Sequence, residues 1–137
     1  MQTDGDMEKN EKLIHSDLTY KIIGLLFKIH TELGCGFPEK IYQRAIELEL
    51  QRAGLDYKRE KEVKLKYSDN IIGAFRLDLV VAEKVIIEIK ALEYLPKVSK
   101  EQLISYLKAT PYEVGLLANF GASKLEYIRM ARKNQSV

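Results

Sequence analysis

The sequence Phe75-Arg-Leu-Asp-Leu-Val-Val-Ala-Glu-Lys-Val-Ile-Ile-Glu-Ile-Lys90 predicts two apolar strands joined by the short charged turn Ala82-Glu83-Lys84. Each strand carries charge that a buried strand normally lacks: Asp78 in the first, and Glu88 and Lys90 in the second. Charged side chains inside a sheet are costly unless they are paired or bind a metal. The stretch therefore indicates a functional site as well as a hairpin.

The length of this turn decides which side chains share a face of the sheet. With a three-residue loop, Val81 faces Val85 and Asp78 lies opposite Glu88. An even-length turn without a bulge would place Asp78 opposite Ile89, on the wrong face. Two carboxylates that face each other repel, and a divalent cation between them would turn this repulsion into a binding site.

Length and composition are those of one ordinary soluble domain. The chain has 137 residues, with 46% hydrophobic residues, 31% charged residues and a net charge of +2, which neither demands nor excludes nucleic acid. It has no run of 18 apolar residues that could span a membrane, and its polar N-terminus does not resemble a signal peptide. The single cysteine, Cys35, cannot form an internal disulfide. We expect a cytoplasmic protein.

The hydrophobic pattern predicts two helices, a three-stranded meander, a third helix and two further strands. Helices are expected at about 17–33, 38–53 and 96–109, and strands at about 57–67, 71–81, 85–90, 112–119 and 125–130. Short connections make the first three strands antiparallel, and the helix after them provides the crossover for a parallel fourth strand. The predicted fold class is α/β (an α+β mixed sheet), with helices packed on the sheet.

The same pattern predicts one domain at 16–131, preceded by a flexible lead-in at 1–15 and followed by a polar tail at 132–137. Either Ser16 or Asp17 could cap the first helix. No internal repeat or second domain is needed to account for the chain.

Two further patterns occur in the order that a known family uses. Gly36-Phe-Pro-Glu39-Lys-Ile-Tyr42 reads G-x-x-E-x-x-Y, and Asp78 and Glu88-Ile89-Lys90 follow it. Together they resemble the GxxExxY family, a branch of the PD-(D/E)xK nuclease superfamily, over roughly Leu18 to Met130. The E-x-K triplet alone is a weak signal in a lysine-rich sequence, so the resemblance depends on the ordered set.

The resemblance implies a restriction-endonuclease-like α-β-β-β-α-β core with an acidic, metal-binding cleft. In that superfamily the aspartate and the E-x-K glutamate hold Mg²⁺ or Mn²⁺, which assigns this role to Asp78 and Glu88, with the carbonyl of Ile89 as a further ligand. Lys90 matches the lysine that orients or activates the attacking water. Glu39 matches the helical acidic position that helps to organise metal or water.

A second helical motif has two interpretations. Gln102-Leu-Ile-Ser-Tyr106 resembles the Q-x-x-x-Y motif of exonuclease-type members, in which Gln102 and Tyr106 would touch metal-bound water or substrate phosphate. Gln102 also follows Ser99 at capping-box spacing, and Tyr106 could belong to the edge of the core. Glu39 has a similar alternative, since a carboxylate in the first helical turn is favoured by about 0.3–1 kcal/mol.

Tyr42 is expected to act as a packing residue or a hydroxyl anchor rather than as a catalyst.

The predicted function is metal-dependent hydrolysis of nucleic-acid phosphodiester bonds, with DNA favoured over RNA. Mg²⁺ prefers hard oxygen ligands and lowers the pKa of a bound water, and Lys90 would supply a compact cation beside the charge that develops. The alternatives are a non-catalytic nucleic-acid-binding or assembly module with the same fold, and an interaction subunit that is active only with a partner. Homodimerisation would suit the small size of the chain and double-strand cleavage.

Overall fold

The computed structural model describes residues 14–132, which form three helices and five strands. In chain order these are α1 (Ser16–Leu33), α2 (Glu39–Arg52), β1 (Tyr57–Tyr67), β2 (Asn70–Val81), β3 (Val85–Lys90), α3 (Lys97–Lys108), β4 (Val114–Asn119) and β5 (Glu126–Ala131). Most of the predicted lead-in and tail lies outside the described residues. No helix within 14–132 is long and apolar enough to cross a membrane.

The five strands form one sheet in the order β1-β2-β3-β4-β5. Strands β1, β2 and β3 pair antiparallel, and β4 joins β3 in parallel with Val85 opposite Val114. Helix α3 makes the crossover between them, because two parallel neighbours cannot be joined by a tight turn. Strand β5 pairs antiparallel with β4 and forms the second edge. The predicted mixed α/β sheet is confirmed.

The centre of the sheet is buried on both faces, which explains why β3 and β4 are almost continuously apolar. Ile87 and Ile89 pack into a cluster with residues of α1 and α2. Ile86, which precedes Ile87 and points to the opposite face, joins a second cluster with Leu103 and Leu107 of α3. The alternation along β3 therefore gives each face its own core, and a charged residue on this strand must find a partner or an opening.

The predicted helix caps are wrong. His15 in a left-handed conformation (φ 60°) precedes α1, and neither Ser16 nor Asp17 makes a side-chain cap. The His15 ring lies 3.4 Å from Glu113, so a contact distant in sequence helps to position the start of the helix. Helix α3 begins after Pro96 without a side-chain cap, so there is no capping box there.

The segment that follows β3 is fixed by the end of β4. The Asn119 amide is fully buried; its oxygen accepts the Leu92 N–H at 2.8 Å and its nitrogen donates to the Leu92 carbonyl at 2.9 Å. A Cβ on Gly121 would lie only 2.3 Å from the Leu92 backbone nitrogen. The chain leaving the E-x-K strand is therefore held by a buried amide and by a close backbone approach that only glycine permits.

We predict that Gly121→Ala destabilises the protein by about 1–3 kcal/mol, because the added methyl group must displace backbone that is itself hydrogen-bonded. The free energy of unfolding in urea measures this loss. Gly73→Ala in β2 is the matched control, since a Cβ there meets nothing within 4 Å, and its effect should stay within about 1 kcal/mol. Equal stability of the two variants would contradict the close approach.

Candidate active site

The β2–β3 hairpin has the register that its turn length predicts. The loop is Ala82-Glu83-Lys84, and Val81 pairs with Val85. Ala82 and Glu83 are both left-handed, with φ of 55° and 56°, and the Lys84 N–H donates to the Val81 carbonyl at 2.9 Å. This odd-length turn places Asp78 across from Glu88.

Backbone pairing between β2 and β3 stops at Leu79 and Ile87, one residue before the two carboxylates. Beyond that point, side-chain carboxylates replace backbone carbonyls as the acceptors of the cross-strand hydrogen bonds. The Asp78 N–H donates to Glu88 Oε2 at 3.0 Å, and the Ile89 N–H donates to Asp78 Oδ2 at 2.7 Å. The strands separate at the site, and each carboxylate binds a backbone N–H across the gap.

Each carboxylate keeps one oxygen available. Within 14–132, no hydrogen bond reaches Asp78 Oδ1 or Glu88 Oε1. No fully buried side-chain polar atom in this part of the chain lacks a partner, so these two oxygens must reach solvent. The pair therefore offers two carboxylate oxygens on an accessible surface, with the other two oxygens fixed by backbone.

The environment of the pair disfavours negative charge. Burial raises the pKa of Glu88 from its ordinary 4.5 to about 8, and the neighbouring Asp78 carboxylate contributes in the same direction. Burial also raises the pKa of Asp78, opposed by the Ile89 N–H and by the charges of Lys90 and Lys40. Without a bound cation the pair is therefore expected to retain a proton near neutral pH, whereas a cation would favour full ionisation.

Lys90 lies near the two carboxylates but does not contact either of them through an ion pair. The residue is half-buried at the end of β3, and its carbonyl accepts the Phe120 N–H at 2.8 Å. Its ammonium makes no ion pair within 4.0 Å among the described residues, yet its charge lowers the pKa of both Asp78 and Glu88. The lysine thus contributes positive potential while leaving the carboxylate oxygens accessible.

An open cleft of about 520 Å³ adjoins the pair and is lined by 36–40, Gln43, Asp78 and Ala91. Glu39, the first residue of α2, lies in this lining and raises the pKa of Glu88 through its charge. Among residues 14–132, no group of three His, Cys, Asp or Glu side chains could hold a metal. A cation at this site would therefore rely on Asp78, Glu88, backbone and water.

Tyr42, the last residue of the G-x-x-E-x-x-Y pattern, anchors the loop that forms one wall of the cleft. Its hydroxyl donates to the Gly34 carbonyl at 2.6 Å and accepts the Phe37 N–H at 3.3 Å. Its ring, which is fully buried, stacks on Phe120 at 4.5 Å. Tyr42 has both of the roles expected for it, and the loop between α1 and α2 is held in place by that hydroxyl.

The two residues of the Q-x-x-x-Y pattern differ in position. Tyr106 stacks on Phe75 at 4.3 Å, and its pKa is raised by burial and then by the charges of Glu88 and Asp78. Its hydroxyl therefore lies within the electrostatic reach of the pair. Gln102 is exposed one turn earlier on α3 and is not part of the cleft lining.

Sequence reasoning missed a charged cluster on β1. The neighbours of Glu60, Arg59 and Lys61, pair with Leu79 and Leu77, so Glu60 stands level with Asp78 on β2. Glu60 accepts from Lys40 at 2.5 Å and from Gln43 at 3.4 Å, and pairs with Arg76 at 3.3 Å. Its backbone is left-handed, with φ of 49°, at a position of β1 where the pairing with β2 is missing. The charge-rich run around Glu60 was visible in the sequence, but neither the left-handed backbone nor the contact with α2 has a sequence signal.

Comparisons with known proteins identify the superfamily and a similar fold. A family model described as the PD-(D/E)XK nuclease superfamily matches residues 16–130. The crystal structure of SSO0001 is similar with a TM-score of 0.55 and 21% identity, over 71% of this chain and 52% of that one. The chain thus spans about half the length of that protein, and the likeness concerns the fold alone. No curated protein matches the chain.

Nucleases of this superfamily generally use divalent metals such as Mg²⁺. The family match covers most of the chain and includes every helix and every strand but the last residue of β5. On this ground the protein belongs to the PD-(D/E)XK nuclease superfamily.

Proposed function

We propose that this protein is a Mg²⁺- or Mn²⁺-dependent nuclease of the GxxExxY branch that hydrolyses phosphodiester bonds in DNA. The observation that carries the proposal is the exchange of hydrogen bonds between the Asp78 and Glu88 carboxylates and the backbone of the opposite strand. It fixes two carboxylates side by side at an accessible cleft, and the repulsion between them is relieved only when a proton or a cation binds.

The donor chemistry fits a divalent cation. Mg²⁺ binds hard oxygen ligands, usually one or two carboxylates, and keeps several waters. Asp78 and Glu88 would supply one carboxylate oxygen each, and the Ile89 carbonyl is a candidate backbone ligand. When bound, the cation supplies positive charge at the phosphoryl oxygens and lowers the pKa of a coordinated water. The raised pKa of Glu88 is consistent with a site that is electrostatically incomplete by itself.

The other residues near the pair would contact the attacking water or the substrate phosphate. Lys90, free of an ion pair among the described residues, would orient the attacking water and offset charge on the pentacovalent phosphorus. Glu39, exposed at the start of α2, would hold a water at the cleft side of the site. Tyr106, whose ordinary pKa already keeps the hydroxyl protonated at neutral pH and is raised further by burial, would donate to a substrate phosphate, with Gln102 as a more distant contact.

We predict that Asp78→Asn and Lys90→Ala each lower Mg²⁺- or Mn²⁺-dependent cleavage of DNA by about 10²–10³-fold, the loss typical of removing one transition-state charge contact. Purified protein would be incubated with single- and double-stranded DNA, with and without EDTA, and the products resolved on denaturing gels. Lys21→Ala on the exposed surface of α1 should cleave as the unchanged protein does.

Cleavage that survives Asp78→Asn or Lys90→Ala would exclude the assigned site. Salt-dependent DNA binding that needs no metal and produces no cleavage would instead favour the non-catalytic module. Cleavage only after copurification of another protein would favour the interaction subunit.

We predict a second effect on stability. The pKa of Glu88 is higher in the folded protein than its ordinary 4.5, so the folded state binds the proton more tightly and loses stability as pH rises from about 4.5 to 8. Glu88→Gln removes this loss. Its stability relative to the unchanged protein should therefore rise with pH by up to about 1.4 kcal/mol per pH unit.

Thermal unfolding between pH 5 and 8 measures this difference. Saturating Mg²⁺ at pH 8 should raise the Tm of the unchanged protein and leave that of Glu88→Gln nearly unmoved, because a ligand of the folded state stabilises it by mass action. Glu62→Gln, at an exposed position of β1, is the matched control and should follow the unchanged protein. Parallel pH curves for Glu88→Gln and the unchanged protein would contradict the prediction.

A further inference from the structure

Phe37 lies exposed in the wall of the cleft that contains Asp78. The side chain is 45% exposed and lines the same opening as Asp78 and Glu39. Single exposed aromatic residues are common on protein surfaces, so exposure alone indicates nothing. What distinguishes Phe37 is how firmly it is held and what surrounds it.

Phe37 is fixed at both its backbone and its ring. Its N–H donates to the Tyr42 hydroxyl at 3.3 Å, and its ring meets the Tyr42 ring edge-on at 6.1 Å. Tyr42 is fully buried and stacked on Phe120, and Pro38 restricts the next backbone angle at φ −66°. An exposed ring held in this way can bind a flat partner with little loss of conformational entropy.

The charges around Phe37 do not suit a phosphate group. The cation among the described residues that line the cleft is Lys40, and it is paired with Glu60 at 2.5 Å. Glu39, two residues after Phe37, contributes a carboxylate to the same wall, whereas the charge of Asp78 would be offset by the bound cation. A phosphate would be repelled from this wall, whereas an uncharged nucleobase would meet an aromatic face and polar hydrogen-bonding groups.

We propose that Phe37 forms a nucleobase-stacking subsite and makes the cleft selective for single-stranded DNA, an inference that rests on the proposed nuclease function. A base within a duplex has both faces covered by its neighbours, so Phe37 can stack only on a base that is already unpaired or splayed out. The stacked base would hold its strand on the α2 side of the cleft, and the adjoining phosphate would lie toward Asp78, Glu88 and Lys90.

Phe27 provides a closely matched control. It is also 45% exposed, and its ring also meets a tyrosine edge-on, Tyr127 at 5.8 Å. It lies on α1 against β5, at the sheet edge opposite β1. A loss caused merely by removing an exposed phenyl group should therefore be the same at Phe27 and Phe37.

The test measures binding to uncut DNA in the Lys90→Ala background with Mg²⁺ present. Fluorescence anisotropy gives the Kd for a labelled oligothymidylate and for its duplex with the complementary strand. Phe37→Ala should raise the single-strand Kd by about 5- to 150-fold, the range typical of losing one base–aromatic stack, and change the duplex Kd by less than about 2-fold. Phe37→Tyr should restore single-strand binding, and Phe27→Ala should change neither Kd.

Equal weakening of both probes by Phe37→Ala, no weakening of either, or the same effect from Phe27→Ala would overturn the stacking subsite. Phe37→Leu, which keeps an apolar side chain but has no aromatic face, separates stacking from a folding defect and should bind the single strand as weakly as Phe37→Ala. Metal-dependent cleavage by the unchanged protein, combined with any of these failures, would overturn the subsite and leave the nuclease standing. Absence of both cleavage and DNA binding would overturn both.

Discussion

The site depends on a constraint of β-structure: when two paired strands separate, the backbone N–H groups at the point of separation lose their partners. Here the carboxylates of Asp78 and Glu88 accept the N–H groups of Ile89 and Asp78. Buried N–H groups left without acceptors would cost about 1–3 kcal/mol each. The separation of the strands, which opens the site, is therefore stabilised by the same side chains that would bind the cation.

The rest of the fold keeps this opening in place. Tyr42 holds the loop before α2 through its hydroxyl. Asn119 and Gly121 fix the backbone that leaves β3. These contacts fix the two chain segments that flank the carboxylates. The apolar residues of β3 pack into the hydrophobic cores on the two faces of the sheet. The fold can keep two carboxyls with raised pKa values because the segments around them are held by contacts that do not involve those carboxyls.

Much of this could be predicted from local sequence. Periodicity predicted the helices and strands, and the three-residue turn Ala82-Glu83-Lys84 predicted the register that pairs Asp78 with Glu88. The expected cap at α1 is absent, and His15, which precedes the helix, contacts Glu113 far away in the sequence. The Glu60–Lys40 pair could not be predicted, because it joins a left-handed position of β1 to a helical residue 20 positions earlier. Local patterns predict elements and cross-strand neighbours; contacts between elements depend on the assembled fold.

Lys90 lies near the carboxylates of Asp78 and Glu88 without forming an ion pair that would neutralise them. A lysine in direct contact with Asp78 or Glu88 would lower the pKa of the carboxyl and stabilise the empty site, but it would also occupy the oxygen that a cation needs. Lys90 instead lowers the pKa of both carboxyls from beyond 4.0 Å. Lys40, which also lowers the pKa of Asp78, forms its ion pair with Glu60 instead. Glu60 on β1 thus engages the ammonium of Lys40, and among the described residues neither Lys40 nor Lys90 forms an ion pair with Asp78 or Glu88.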